Sequence, residues 1–81
     1  MWHVYVLLCH DSSLYTGVTN DVAKRFRQHV TGKGASYTTS HPPICIVHTE
    51  RFKSKSSAFK REYEIKHWPR KKKIHTLHLD I

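Results

Sequence analysis

Residues 2–19 read Trp2-His3-Val4-Tyr5-Val6-Leu7-Leu8-Cys9-His10-Asp11-Ser12-Ser13-Leu14-Tyr15-Thr16-Gly17-Val18-Thr19. Two runs rich in β-branched, aromatic and aliphatic residues flank the polar segment 10–13, which is the pattern of a β-hairpin. Downstream, Asn20 or Asp21 offers an N-cap for a helix running to about Val30, and Thr31-Gly32-Lys33-Gly34 should end it with residues tolerant of positive φ. Residues 35–41 read as loop. His41-Pro42-Pro43 bars any helix, and Ile44 to Phe52 reads as a third strand. The serine-rich segment 54–57 caps a helix expected over 58–67, Trp68-Pro69 breaks it, and Arg70 to Leu79 reads as a short last helix with Pro69 at its first turn. The expected fold class is α/β of the α+β kind: a small three-stranded, mostly antiparallel sheet flanked by helices, in the order β-β-α-β-α-α.

The chain has 81 residues and is expected to form one domain over 1–81. At this length only about 60% of the unfolded surface can be buried, so the core must be thin and multidomain architectures are excluded. Lys+Arg 14 against Asp+Glu 6 leaves a formal net charge of +8, which calls for a polyanion: nucleic acid, an anionic membrane surface or an acidic protein. Ten of the 14 basic residues lie in 51–73, opposed there only by Glu62 and Glu64. That concentration favours contact with a nucleic-acid backbone, through Lys33, Lys66, Arg70, Lys71, Lys72 and Lys73, over a solvated helix end.

Cys9 and Cys45 sit in apolar runs without CxxC spacing and are expected as buried strand residues. The paired cysteines of small secreted domains are missing, so a reducing, cytoplasmic location is expected. The first residues lack the positive region and long apolar core of a signal peptide, and their apolar run is far short of the ~20 residues that span a bilayer, so no membrane partner is expected. His67, His75 and His78, or Cys45 with His48, lack the paired spacing of a zinc site. Trp2, Trp68, Tyr37 and Tyr63 could stack on unpaired bases, but packing is the commoner fate of such rings. Gly32 and Gly34 lack the preceding strand and the Lys-Ser/Thr ending of a phosphate loop, and helix termination accounts for them.

On a wheel of about 100° per residue, Val22, Phe26 and Val30 form the inward stripe of the first helix, with Arg25 and His29 flanking it. Packing would explain Arg25 as a snorkelling cation and His29 as a satisfied histidine. In the later helix Ala58, Phe59 and Ile65 define an apolar arc, and Glu62 falls inside it, where an unpaired carboxylate is expensive. An i,i+4 pair with Lys66 is the plain explanation of Glu62; a metal-ligating or catalytic carboxylate is the other. Tyr5 and Tyr15 are brought close by the hairpin, which is a cross-strand packing arrangement in most proteins. A tyrosine pair, an arginine, a histidine and a carboxylate on one face would nevertheless supply what phosphodiester hydrolysis needs: an aligned water, a cation for the extra phosphate charge and a ligand for a divalent ion.

Tyr5 after His3-Val4, Tyr15-Thr16-Gly17 ten residues on, Arg25 and His29 four apart, and Glu62 in Arg61-Glu62-Tyr63-Glu64-Ile65-Lys66 together resemble the GIY-YIG endonuclease domain. Segments 32–38 and 65–70 are similar to those of its small standalone bacterial members, so the resemblance covers nearly the whole chain. It implies a nuclease using one divalent ion, Mg²⁺ or Mn²⁺. Carried onto this sequence, it implies that Glu62 ligates the ion and Arg25 stabilises the transition-state phosphate, while Tyr15, assisted by Tyr5 and His29, orients or deprotonates the water. A tyrosine with a pKa near 10 needs a nearby cation to act as a base at neutral pH, so His29 is the rival base on physical grounds. His3-Val4 in place of Gly-Ile, and Thr16 in place of Ile, depart from the family at positions that look structural. The expectation is a metal-dependent endonuclease acting on nucleic acid, DNA ahead of RNA, structure-selective and suited to repair or recombination. The alternatives are a non-catalytic basic DNA/RNA-binding module and a scaffold for an acidic protein. Family members with a known target commonly carry a further domain, so specificity here is expected from substrate shape or a protein partner.

Overall fold

The hairpin forms as its sequence requires. In the computed structural model, which describes residues 1–81, β1 (Trp2–Cys9) and β2 (Leu14–Thr19) pair antiparallel with Tyr5 opposite Gly17 and Leu7 opposite Tyr15. Asp11 accepts from the Ser13 backbone N–H (3.0 Å) and hydroxyl (2.6 Å), an Asx-type turn that closes the loop. Then follow α1 (Val22–Val30), α2 (Ser36–Ser40), β3 (Pro43–Phe52), α3 (Lys55–Lys66) and α4 (Arg70–Thr76). The sheet order is β2-β1-β3, all antiparallel, leaving β2 and β3 as edges. No helix is long and apolar enough to cross a membrane.

Strand alternation gives the sheet two unlike faces. One face presents Val4 and Val6 to Ala58, Ile65, Leu77 and Leu79, and this cluster is the apolar core under α3 and the C-terminal turn. The other presents Tyr5 and Leu7 towards α1 and α2, where the fully buried side chains include His29 and Thr38. Arg61 anchors α3 to β3 through a two-pronged pair with Glu50 (Nε to Oε1 2.9 Å, Nη2 to Oε2 3.1 Å), and His48 Nε2 lies 2.7 Å from Oε2 of the same carboxylate. Burial alone would raise the Glu50 pKa, but its bonds to Arg61 and His48 outweigh burial and hold it below the usual carboxylate range.

Several expectations are corrected. Segment 35–41 is not all loop, because α2 forms there. The helix expected over 58–67 starts three residues earlier, since Ser54 accepts from the Ser57 N–H as N-cap. The last helix stops at Thr76, and His78 turns at φ 54° to send Leu79 back into the core. Val30 is exposed because α1 ends there and the inward direction runs through Arg25 and His29 instead. Phe59 is also exposed: Ala58 and Ile65 fill the narrow contact, with half-buried Arg61 and Glu62 on either side. Cys9 is buried as expected, but Cys45 is exposed on the edge strand β3.

Thr16, opposite Val6 and only 2% exposed, holds an Oγ1 with no hydrogen-bond partner. An unpaired buried hydroxyl costs about 1–3 kcal/mol, so Thr16→Val should raise stability by about 1 kcal/mol in urea denaturation; a loss would show that the hydroxyl is satisfied. Glu50→Gln should lower stability at neutral pH by about 1–2 kcal/mol. Because the folded pKa of Glu50 is depressed, its contribution is complete above the unfolded value of about 4.3 and disappears as pH falls through the folded one. The difference between wild type and Glu50→Gln should therefore shrink in acid, which denaturation at stepped pH would check.

Candidate active site

Tyr5 lies on the central strand and its ring crosses Gly17 on β2. A Cβ on Gly17 would sit 2.5 Å from the Tyr5 Cζ, so the glycine of Tyr15-Thr16-Gly17 is the space the ring occupies. Tyr5 Oη is 2.8 Å from His29 Nε2, and His29 Nδ1 is 2.6 Å from Thr38 Oγ1. Thr38 donates its single hydroxyl proton to the Ala35 carbonyl at 2.9 Å. It must then accept from His29, which assigns the proton of a neutral imidazole to Nδ1 and leaves Nε2 to accept from the Tyr5 hydroxyl. Burial, then the Arg25 charge, pushes the His29 pKa below its usual value, which agrees with a neutral ring at pH 7. Gly34 does more than end a helix: a Cβ there would meet His29 Cγ at 2.8 Å.

The other sequence-expected residues gather around this chain. Tyr15 is half-buried, with ring centroids 6.4 Å from Tyr5 and 5.2 Å from His29. Arg25, near the start of α1, donates from Nη1 to Gln28 Oε1 at 3.1 Å, and its charge acts on both Tyr5 and His29. It opens into a groove of about 280 Å³ that Trp2, Asn20, Lys24 and Gln28 help to line. Glu62 reaches in from α3 with a side chain 16% exposed, 3.5 Å from Lys66 Nζ, which in turn lies 5.8 Å from the Tyr15 ring centroid. The pairing with Lys66 and the inward position of Glu62 thus hold together. Tyr5 is pushed up to about 12: burial dominates, nearby Arg25 opposes it, Tyr15 adds to it, and Glu62 adds a smaller push. Tyr5 is therefore a phenol at neutral pH, a weaker acid than its type suggests, with almost no phenolate available to act as a base.

Sequence reasoning missed Thr38 as the group that sets the histidine tautomer. Tyr37, named there only as a ring that packs or stacks on bases, lies on Tyr15 with centroids 5.7 Å apart, a partner the sequence did not indicate. Both lie in the segment 32–38 singled out above, but neither has a periodicity that reveals a contact. The basic residues divide. Lys33, Lys71 and Lys72 are exposed, with Lys72 over the Trp68 ring at 5.0 Å. Arg70 donates from Nη1 to the Ser12 carbonyl, tying α4 to the hairpin turn and engaging a group expected to grip phosphate. Half-buried Lys73 has its pKa lowered by burial, then by the charges of Arg70 and Lys66, so positive charge converges between α3 and α4. The largest concavity, about 660 Å³ beside Pro69, Lys71, Lys72, Ile74 and His75, contains none of the five candidate catalytic residues.

A family model described as the GIY-YIG catalytic domain matches residues 1–75. The chain is 54% identical over 71 residues to a UPF0213 protein of Natronomonas pharaonis, covering 88% of this chain and 84% of that one. It is 49% identical over 72 residues to a UPF0213 protein of Staphylococcus haemolyticus, with 89% and 88% covered. Among solved structures it is similar to the solution NMR structure of a UPF0213 protein from Bacillus halodurans, with 46% identity, a TM-score of 0.62, and 99% and 86% covered. A second NMR structure, of a protein from E. faecalis, matches with 40% identity, a TM-score of 0.64, and 94% and 81% covered. A match that runs from the first strand into α4, together with relatives of the same small size, settles the kinship: the chain belongs to the GIY-YIG family of nuclease catalytic domains.

Proposed function

We propose that this protein is a divalent-metal-dependent endonuclease that hydrolyses phosphodiester bonds, in DNA ahead of RNA, at the edge of β2. The observation that carries this reading is the grouping of Tyr5, Tyr15, Arg25 and His29 around one hydrogen-bonded pair, with Glu62 near enough for its charge to act on Tyr5. A purely binding module has no need to hold a neutral histidine against a buried phenol.

Glu62 suits Mg²⁺ or Mn²⁺ by chemistry: it is a lone hard-oxygen ligand, and no three His, Cys, Asp or Glu side chains group as a ligand set. Mg²⁺ is commonly held by one or two carboxylates, with water and substrate phosphate completing the shell. When bound, the ion would neutralise phosphate charge as a Lewis acid. Arg25 faces the same phosphate from α1 and stabilises the charge that builds in the transition state. Tyr15, the more exposed of the two phenols, orients the attacking water. Tyr5 takes the water's proton as it passes its own to His29 Nε2, so the histidine is the terminal base and the high pKa of Tyr5 is no obstacle. Thr38 is a positioning residue that keeps Nε2 free to accept. Lys33, Lys71 and Lys72 hold the flanking backbone, with a protein partner or substrate shape supplying specificity. A cytoplasmic setting and a part in repair or recombination belong to the same reading.

A panel of branched, flapped, single-stranded and duplex DNA and RNA, incubated with Mg²⁺ or Mn²⁺, tests the activity. Wild type should cut at least one substrate, while Glu62→Gln and Arg25→Ala should each lower the rate by about a hundredfold or more with affinity nearly unchanged. Failure of wild type to cut any of them would leave only the binding module. Cleavage should rise with pH through a value below about 6.5 and then level off, because the neutral form of His29 is required and its pKa is depressed. Thr38→Val should lower kcat by about tenfold, move that acid limb lower still, and leave KM in place; Thr38→Ser should restore both.

A further inference from the structure

The outer face of α3 serves neither the core nor the residues above. Phe59, Tyr63 and His67 recur along it at four-residue spacing, one ring per helical turn, with Phe59 46% and Tyr63 65% exposed. Lys55 borders these rings, its Nζ 5.7 Å from the Phe59 ring centroid, and Lys60 is exposed on the same helix. The expectation that Tyr63 packs away is thus not met. His67 donates Nδ1–H to the Tyr63 carbonyl at 2.7 Å, which sets its ring against one face of Tyr63, centroids 4.0 Å apart. Even with this contact Tyr63 keeps most of its surface exposed. The stripe adjoins the candidate site, since Glu62 and Lys66 belong to the same helix and Lys66 reaches the Tyr15 ring.

Flat rings interleaved with ammonium groups match a polymer that alternates flat bases with phosphates. A single strand offers both, whereas a duplex hides its base faces in its own stack and offers only phosphates. An acidic peptide would use the lysines but has no ring for each turn of helix. The span from Phe59 to His67 is about 12 Å, room for about three bases at 3.4 Å spacing. We propose that the outer face of α3 is a stacking track for unpaired nucleotides, with Tyr63 as its central platform. Resting on the nuclease reading, this makes the substrate class nucleic acid that is single-stranded beside the scissile phosphate.

The test measures binding by fluorescence anisotropy with the full chain in chelator, where cleavage plays no part. The probes are a labelled oligothymidine and a duplex of equal length. Wild type should prefer the single strand by about tenfold; Tyr63→Ala should abolish that preference, a loss expected for one stacked base, without changing duplex affinity, and Tyr63→Trp should restore it. Equal weakening on both probes, no weakening, or a Tyr63-dependent self-association with no change in oligothymidine binding would each overturn the track. The two readings fail separately. A protein that binds oligothymidine through Tyr63 but cuts nothing keeps the track and loses the nuclease; one whose single-strand cleavage is unchanged by Tyr63→Ala keeps the nuclease and loses the track.

Discussion

The buried chain from Tyr5 through His29 to Thr38 and the Ala35 carbonyl is the constraint around which the polar face of the molecule is arranged. Buried donors and acceptors must be paired, and this chain can be paired in only one sense because the Thr38 hydroxyl has a single proton to give. It joins β1, α1 and α2. A five-residue helix such as α2 has no independent stability, so it is held by its contacts, Thr38 with His29 and Tyr37 on Tyr15. The two close-packed glycines, Gly17 beside Tyr5 and Gly34 beside His29, are the steric counterpart of the same chain.

The opposite face of the sheet has a different task. Val4, Val6, Ala58, Ile65, Leu77 and Leu79 form a small apolar cluster, as thin as the chain length demands. Small cores leave helix orientation underdetermined, and here the Glu50–Arg61 pair supplies the missing restraint on α3. That restraint matters for chemistry because α3 presents three unlike faces: Ala58 and Ile65 inward, Glu62 and Lys66 towards Tyr15, and Phe59 and Tyr63 outward. A rotation of α3 by a single residue position would exchange these roles.

The hairpin, the third strand and the breaks between helices are legible in the sequence because they depend on local propensity, alternation and turn chemistry. Glu62 is legible as an anomaly, since a carboxylate among apolar positions stands out against helical periodicity. Other features are not. Phe59 and Val30 fit an apolar stripe by spacing yet lie outside it, because periodicity gives the angle between side chains and not the width of the contact that covers them. Thr38 and Glu50 are ordinary polar residues in sequence, and their importance comes from partners 9 and 11 residues away. Cys45 reads as core by its neighbours and is exposed because β3 is an edge.

By itself, the sequence determines that the chain builds a three-stranded sheet with helices, carries a strong positive charge and contains a tyrosine pair, an arginine, a histidine and a carboxylate in a meaningful order. These are properties of composition and local spacing, which survive in an unfolded chain. Only the tertiary structure decides that His29 is neutral with its proton on Nδ1, that Tyr5 is a phenol held up to about 12, that Arg70 is tied to the hairpin turn, and that Tyr63 is left open beside the site. Proton location and pKa depend on burial and on which acceptor lies within hydrogen-bonding distance, and both arise only when segments distant in sequence are packed together.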